Sequence, residues 1–117
     1  MKVLFDHNVP HKLRQSMTAH EVATADEMGW AELGNGELLW AAQRTGFAVM
    51  VTADKNLSFQ QNLHLMELAL VVLSTNNWNV LKHQSHLVIE AVDAAKPGSV
   101  QLVSFEASPG GSGPKSS

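Results

Sequence analysis

Phe47-Ala48-Val49-Met50-Val51-Thr52 is followed at once by Ala53-Asp54. A strand with one face in water alternates apolar and polar residues, whereas this run is apolar at odd and even positions alike. It is therefore expected at the centre of a sheet covered on both faces. Central strands of that kind belong to parallel sheets, because parallel neighbours need crossover connections, usually helical, that coat the faces.

The segments on either side fit such a sheet. Lys2-Val3-Leu4-Phe5 is a short buried strand, and Glu21-Val22-Ala23-Thr24 a weaker one. Leu68 to Leu73 is a further continuous apolar run. Val100-Gln101-Leu102-Val103-Ser104-Phe105 mixes apolar with polar residues and reads as an edge. Helical spacing lies between the strands. A helix near 9–17 is expected, with Asn8 as cap, Pro10 tolerated in its first turn, and Leu13 and Met17 on one face. Asn35-Gly36-Glu37 opens another, with Asn35 as N-cap, a stripe of Leu38, Leu39, Ala41 and Ala42, and Gly46 at its end. Residues 79–95 carry Val80, Leu81, Leu87, Val88, Ala91 and Val92 at roughly helical spacing, stopped by Lys96-Pro97-Gly98. Strands alternating with helices predict an α/β fold: a three-layer α/β/α sandwich around a mostly parallel sheet of four to five strands.

The chain has 117 residues, the size of one domain. Ala107 to Ser117 is nine parts Gly, Ser and Pro in eleven and is expected to be a disordered tail, leaving 1–106 as the folding body. There is no cysteine, which excludes disulfides, thiolate zinc sites and thiol nucleophiles. No apolar run approaches the length of a membrane span. Met1-Lys2-Val3-Leu4-Phe5-Asp6 reaches an acid too early for a signal peptide, so a cytoplasmic location is expected. A net charge of −3 argues against broad electrostatic coating of nucleic acid, but not against a site that grips a phosphodiester through a metal ion.

In an open parallel sheet, ligands bind at the carboxyl ends of the strands, where strand order reverses. Asp6 follows the first strand, Asp54 the third, and Ser74-Thr75-Asn76 the fourth. If the third strand returns to pair with the first, Asp6 and Asp54 face one crevice, and Glu37 lies in the first turn of the helix leading back to it. Three converging carboxylates repel unless one is protonated or a cation joins them. Oxygen-only ligation suits Mg or Mn, which activates water and stabilises charge on a phosphoryl oxygen. Spacing also allows a plainer reading, in which a strand-end Asp caps a turn and Glu37 answers the helix dipole.

Three segments carry a resemblance. Val3-Leu4-Phe5-Asp6-His7-Asn8-Val9-Pro10, Gly34-Asn35-Gly36-Glu37-Leu38-Leu39 and Val51-Thr52-Ala53-Asp54-Lys55-Asn56-Leu57 resemble the PIN-like superfamily, over about residues 1–95. The match is to a compact branch related to VapC-type toxin ribonucleases. The resemblance implies a Mg- or Mn-dependent ribonuclease with Asp6, Glu37 and Asp54 as catalytic and metal-site acids. Asn8, Thr52, Lys55, Asn56 and Thr75 stand beside them as substrate-binding candidates, the two threonines orienting water or substrate. The partners implied are RNA and a small antitoxin protein or a second copy of the chain. The sequence departs from the pattern at His7, where relatives often carry Glu, and at Asn35 and Asn56, where they often carry Asp. Asn56 can offer a carbonyl but no charge, which opens a second reading: an interaction module with reduced catalysis. A phosphorylatable receiver domain would share the acids, but here Asp6 is followed by His7 and no Lys follows the last strand.

Other residues invite assignment. Residues 15–43 hold Glu21, Asp26, Glu27, Glu32 and Glu37 and no Lys or Arg, a solvated acidic face or a dock for a basic partner. Lys12 and Arg14 stand near the crevice in sequence and could touch phosphates. Gln60-Gln61-Asn62 reads as a capped loop, and His83 and His86 as a surface pair. His7 is expected to point away from Asp6, as neighbours on an extended segment do. Trp40, inside a helix, is expected in the core, and Trp78 could stack on a base.

Overall fold

The computed structural model describes residues 1–57 and 66–105. The expected tail at 107–117 and the Gln60-Gln61-Asn62 segment lie outside the described residues. The fold is α/β, with a five-stranded sheet in the order β2-β1-β3-β4-β5 and every pairing parallel. Its strands are β1 (Lys2–Phe5), β2 (Glu21–Thr24), β3 (Val49–Thr52), β4 (Ala69–Leu73) and β5 (Val100–Val103). The run that begins at Phe47 thus supplies the middle strand, buried along all of Val49–Thr52. Val49 and Val51 pack on one face with Val3, Phe5 and Val71, while Met50 packs on the other with Leu4, Leu70 and Val72.

The first face is covered by a short 3-10 helix (His11–Ser16), α2 (Trp78–Leu81) and α3 (Ser85–Asp93), through Leu13, Leu81, Val88 and Val92. The second is covered by α1 (Asn35–Thr45), through Leu38, Leu39 and Ala42. All four residues of the expected α1 stripe are buried. Gly46 ends α1 with φ of 95°, a left-handed conformation that glycine adopts without steric cost.

Several local expectations are corrected. The helix expected over 9–17 is a six-residue 3-10 turn, and Asn8 does not cap it: Pro10 holds the cap position, and the Asn8 N–H donates to Asp6 Oδ1 at 2.9 Å. Leu13 and Met17 are nevertheless both buried. Gly34, not Asn35, is the N-cap of α1. The single helix expected over 79–95 divides into α2 and α3, because Lys82-His83-Gln84 supplies no apolar side chain to continue the buried stripe. Trp40 is 42% exposed rather than core. It follows Leu38 and Leu39, which both face the sheet, and so falls on the outer side of α1.

Candidate functional site

Parallel pairing carries β1 and β3 side by side to a common end, and the chain order forces the reversal there, since β2 lies beyond β1 and β4 beyond β3. The Asp6 N–H donates to the Val51 C=O at 3.1 Å, so the pairing continues into the first residue after β1. This places the Asp6 side chain next to Thr52, the last residue of β3.

The Thr52 hydroxyl donates to Asp6 Oδ2 and accepts the Asp54 N–H at 3.0 Å. A single hydroxyl thus links the two acids expected to share the crevice. Asp6 and Thr52 are both fully buried, and Asp54 is half-buried. Asp6 Oδ1 takes the Asn8 N–H, Asp54 Oδ1 takes the Asn56 N–H at 3.1 Å, and Asp54 Oδ2 takes the Asn35 side-chain amide at 3.0 Å. The last bond draws the first turn of α1 onto the site. Burial pushes the Asp6 carboxyl above its ordinary range. The Thr52 and Asn8 hydrogen bonds and the nearby His7 oppose that shift, and the Asp54 charge adds to it.

Glu37 lies on the same rim, but its Oε1 turns back to accept the Gly34 N–H at 2.9 Å, closing the first turn of α1. The side chain is exposed, so the arrangement serves the helix dipole as well as the amide. Among the described residues, no three His, Asp or Glu side chains stand close enough to form a metal-holding group. The oxygen-only character of Asp6 and Asp54 fits a hard cation, and each engaged carboxylate oxygen keeps a further lone pair.

The remaining assigned residues fall into two groups. Asn8 and Asn56 serve the site through their backbone N–H groups, each bonding to the acid two residues before it. The Thr75 hydroxyl accepts the Asn77 N–H at 3.1 Å in the turn that Asn77 uses to cap α2, rather than bonding to Asp6 or Asp54. Lys55 is exposed and lines a cavity of about 340 Å³ at the carboxyl ends of β4 and β5, with Val72, Ser74 and Leu102.

A smaller cavity of about 100 Å³ opens on the β2 side of Asp6, lined by Asp6, His7, His11, Thr24, Ala25 and Asp26. The expectation that His7 points away from Asp6 fails, because the strand ends at Phe5 and residues 7 and 8 form a turn. His7 Nε2 is 2.9 Å from the Leu33 C=O, and since a carbonyl oxygen only accepts, Nε2 donates in that contact. Sequence reasoning missed His11 at this cavity and could not fix the direction of Asp26, although the turn-forming Asn8-Val9-Pro10 segment signals that the chain folds back after Asp6. Arg14 pairs with Glu27 at 2.6 Å. Glu27 in turn accepts the Thr24 N–H at 3.1 Å, and the two bonds hold its carboxyl below the ordinary range, the Arg14 bond contributing most. Comparison of the chain with family models, with curated proteins and with solved structures finds no match.

Proposed function

We propose that this chain is a PIN-like, three-layer α/β/α ribonuclease of toxin type that hydrolyses RNA phosphodiesters with Mg or Mn. The observation that carries this reading is the Asp6–Thr52–Asp54 network at the reversal point of the all-parallel sheet. Asp6 and Asp54 would hold the cation, with Glu37 contributing after it releases the Gly34 amide. The cation would supply Lewis-acid stabilisation of the phosphoryl oxygens. The chain's own groups do the rest. Thr52 keeps the two carboxylates in register by donating to one and accepting from the amide of the other. The Asn8 N–H favours the ionised Asp6 carboxylate, and the Asn56 N–H orients the Asp54 carboxylate. Exposed Lys55 offers a positive charge to the RNA backbone beside the site. The experiment is cleavage of single-stranded RNA with Mn²⁺, comparing the wild type with Asp6→Asn. The variant should lose about a hundredfold or more, and equal activity in both would remove the assignment.

Two bonds favour a second reading, an interaction module that has kept the fold and reduced the catalysis. Glu37 is committed to capping α1, and the Asn35 amide occupies Asp54 from a position where relatives of the resembled family often carry an acid. This reading expects no effect of divalent ions on the melting temperature. A Mg²⁺ or Mn²⁺ shift that disappears in Asp54→Asn would exclude it.

A further inference from the structure

The two edges of the sheet are finished differently. β2 begins at charged, exposed Glu21, and its neighbour in sequence, His20, pairs with Asp93 at 2.7 Å. Charges at an edge discourage a second sheet from adding to it. β5 has no such guard. From Pro97 to Phe105 there is no Lys, Arg, Asp or Glu. Leu102 is 71% exposed and Val100 38% exposed, both within β5.

The hydrogen-bond phase of β5 gives this edge a direction. Leu70 donates to the Ser99 C=O and Ser74 to the Val103 C=O, each at 2.9 Å. A parallel strand meets one neighbour through alternate residues, so Ser99, Gln101 and Val103 face β4. The backbone N–H and C=O groups of Val100 and Leu102 therefore point away from the sheet. Among the described residues no hydrogen bond takes them up. Val100 and Leu102 also share one face, in register with Leu70 and Val72.

We propose that β5 is a self-association edge, on which a second copy of this chain pairs antiparallel about a two-fold axis to extend the sheet across both molecules. The strand is complementary to itself. The two-fold pairs Val100 of one copy with Leu102 of the other, so outward N–H and C=O groups meet partners at both positions. The same operation sets the exposed Leu102 of each copy against Val100 of the other on a common face. β5 itself brings no charge to the contact, and Lys55 shares the cavity at the carboxyl ends of β4 and β5 with Leu102. A four-residue strand contact is smaller than a standard protein interface, so the dimer is weak and forms with rising concentration. The inference is independent of whether Asp6 and Asp54 support catalysis.

The test is sedimentation equilibrium of the full chain over a wide concentration range, with amide hydrogen exchange read at low and high concentration. The weight-average mass should climb from 12.7 kDa towards twice that value. Exchange of the Val100 and Leu102 amides should slow as it does. Leu102→Lys should raise the dissociation constant about tenfold or more, with the melting temperature unchanged because the side chain is exposed. Trp40→Gln, which alters the exposed aromatic on α1, should leave association as in the wild type. Three results would overturn the proposal. The first is a wild type that stays monomeric throughout. The second is association lost in Trp40→Gln but kept in Leu102→Lys. The third is protection of the two amides that does not depend on concentration, which would mean that the edge is covered from within the chain.

Discussion

Asp6 is a buried acid with two well-placed donors and a second acid nearby, and the balance among these sets a pH dependence. Desolvation is the largest influence and raises its pKa above the ordinary 3.8. Across the interval between the unfolded and folded values, the folded chain binds more protons at Asp6 than the unfolded chain does. Stability from this group therefore falls as pH rises through that interval, and the full penalty persists at neutral pH. Asp6→Asn removes the penalty while keeping a carbonyl for the Asn8 N–H. Its melting temperature should exceed that of the wild type by several degrees at neutral pH, the gap closing as pH falls below 3.8. Melting curves of the two proteins across acid and neutral pH check this, and a gap that widens on acidification would contradict it. The position of Asp6 at a strand end was legible in the sequence. Its donors were legible in part, since Asn8 is two residues away whereas the Thr52 hydroxyl comes from another strand.

At the scale of elements, α1 shows what local sequence can and cannot specify. Its stripe of Leu38, Leu39, Ala41 and Ala42 and its stop at Gly46 follow from helical spacing and from glycine's freedom at positive φ. What ties α1 to the rest does not. Gln43 Oε1 accepts the Glu67 N–H at 3.1 Å and the Leu68 N–H at 2.9 Å, fixing the approach of the chain to β4. Gln43→Ala leaves two backbone donors without that acceptor, one of them on buried Leu68, and should cost about 1–3 kcal/mol in denaturant unfolding. A loss indistinguishable from zero would show that water replaces the contact freely. The divided helix over 78–93 and the 3-10 turn after Pro10 escaped prediction for a related reason. Spacing of apolar residues marks a face but not the continuity of the hydrogen bonds between them.

For the whole molecule, the sheet separates two apolar layers, and a residue's importance depends on which side of an element it faces rather than on its size. Met50 is fully buried in the central strand, whereas the larger Trp40 is 42% exposed on the outer side of α1. Met50→Ala should cost about 2–5 kcal/mol, the range for a truncated core side chain, and Trp40→Ala less. Denaturant midpoints of the two variants check the order, and a costlier Trp40 substitution would reverse it.

The strands, their apolar faces and the acids that follow β1 and β3 were determined by the sequence alone. Each depends on residues within a few positions of one another, where periodicity and strand-end placement carry the information. Tertiary structure alone decided that Thr52 joins Asp6 to Asp54, that Asn35 reaches Asp54 from α1, that Glu37 turns back to Gly34, and that His7 shares a cavity with Asp6. It also decided that Leu102 lies exposed on the β5 edge. These outcomes depend on the register between strands distant in sequence and on side-chain direction in turns. A shift of one residue in register would turn Thr52 to the opposite face and break the link between the two acids.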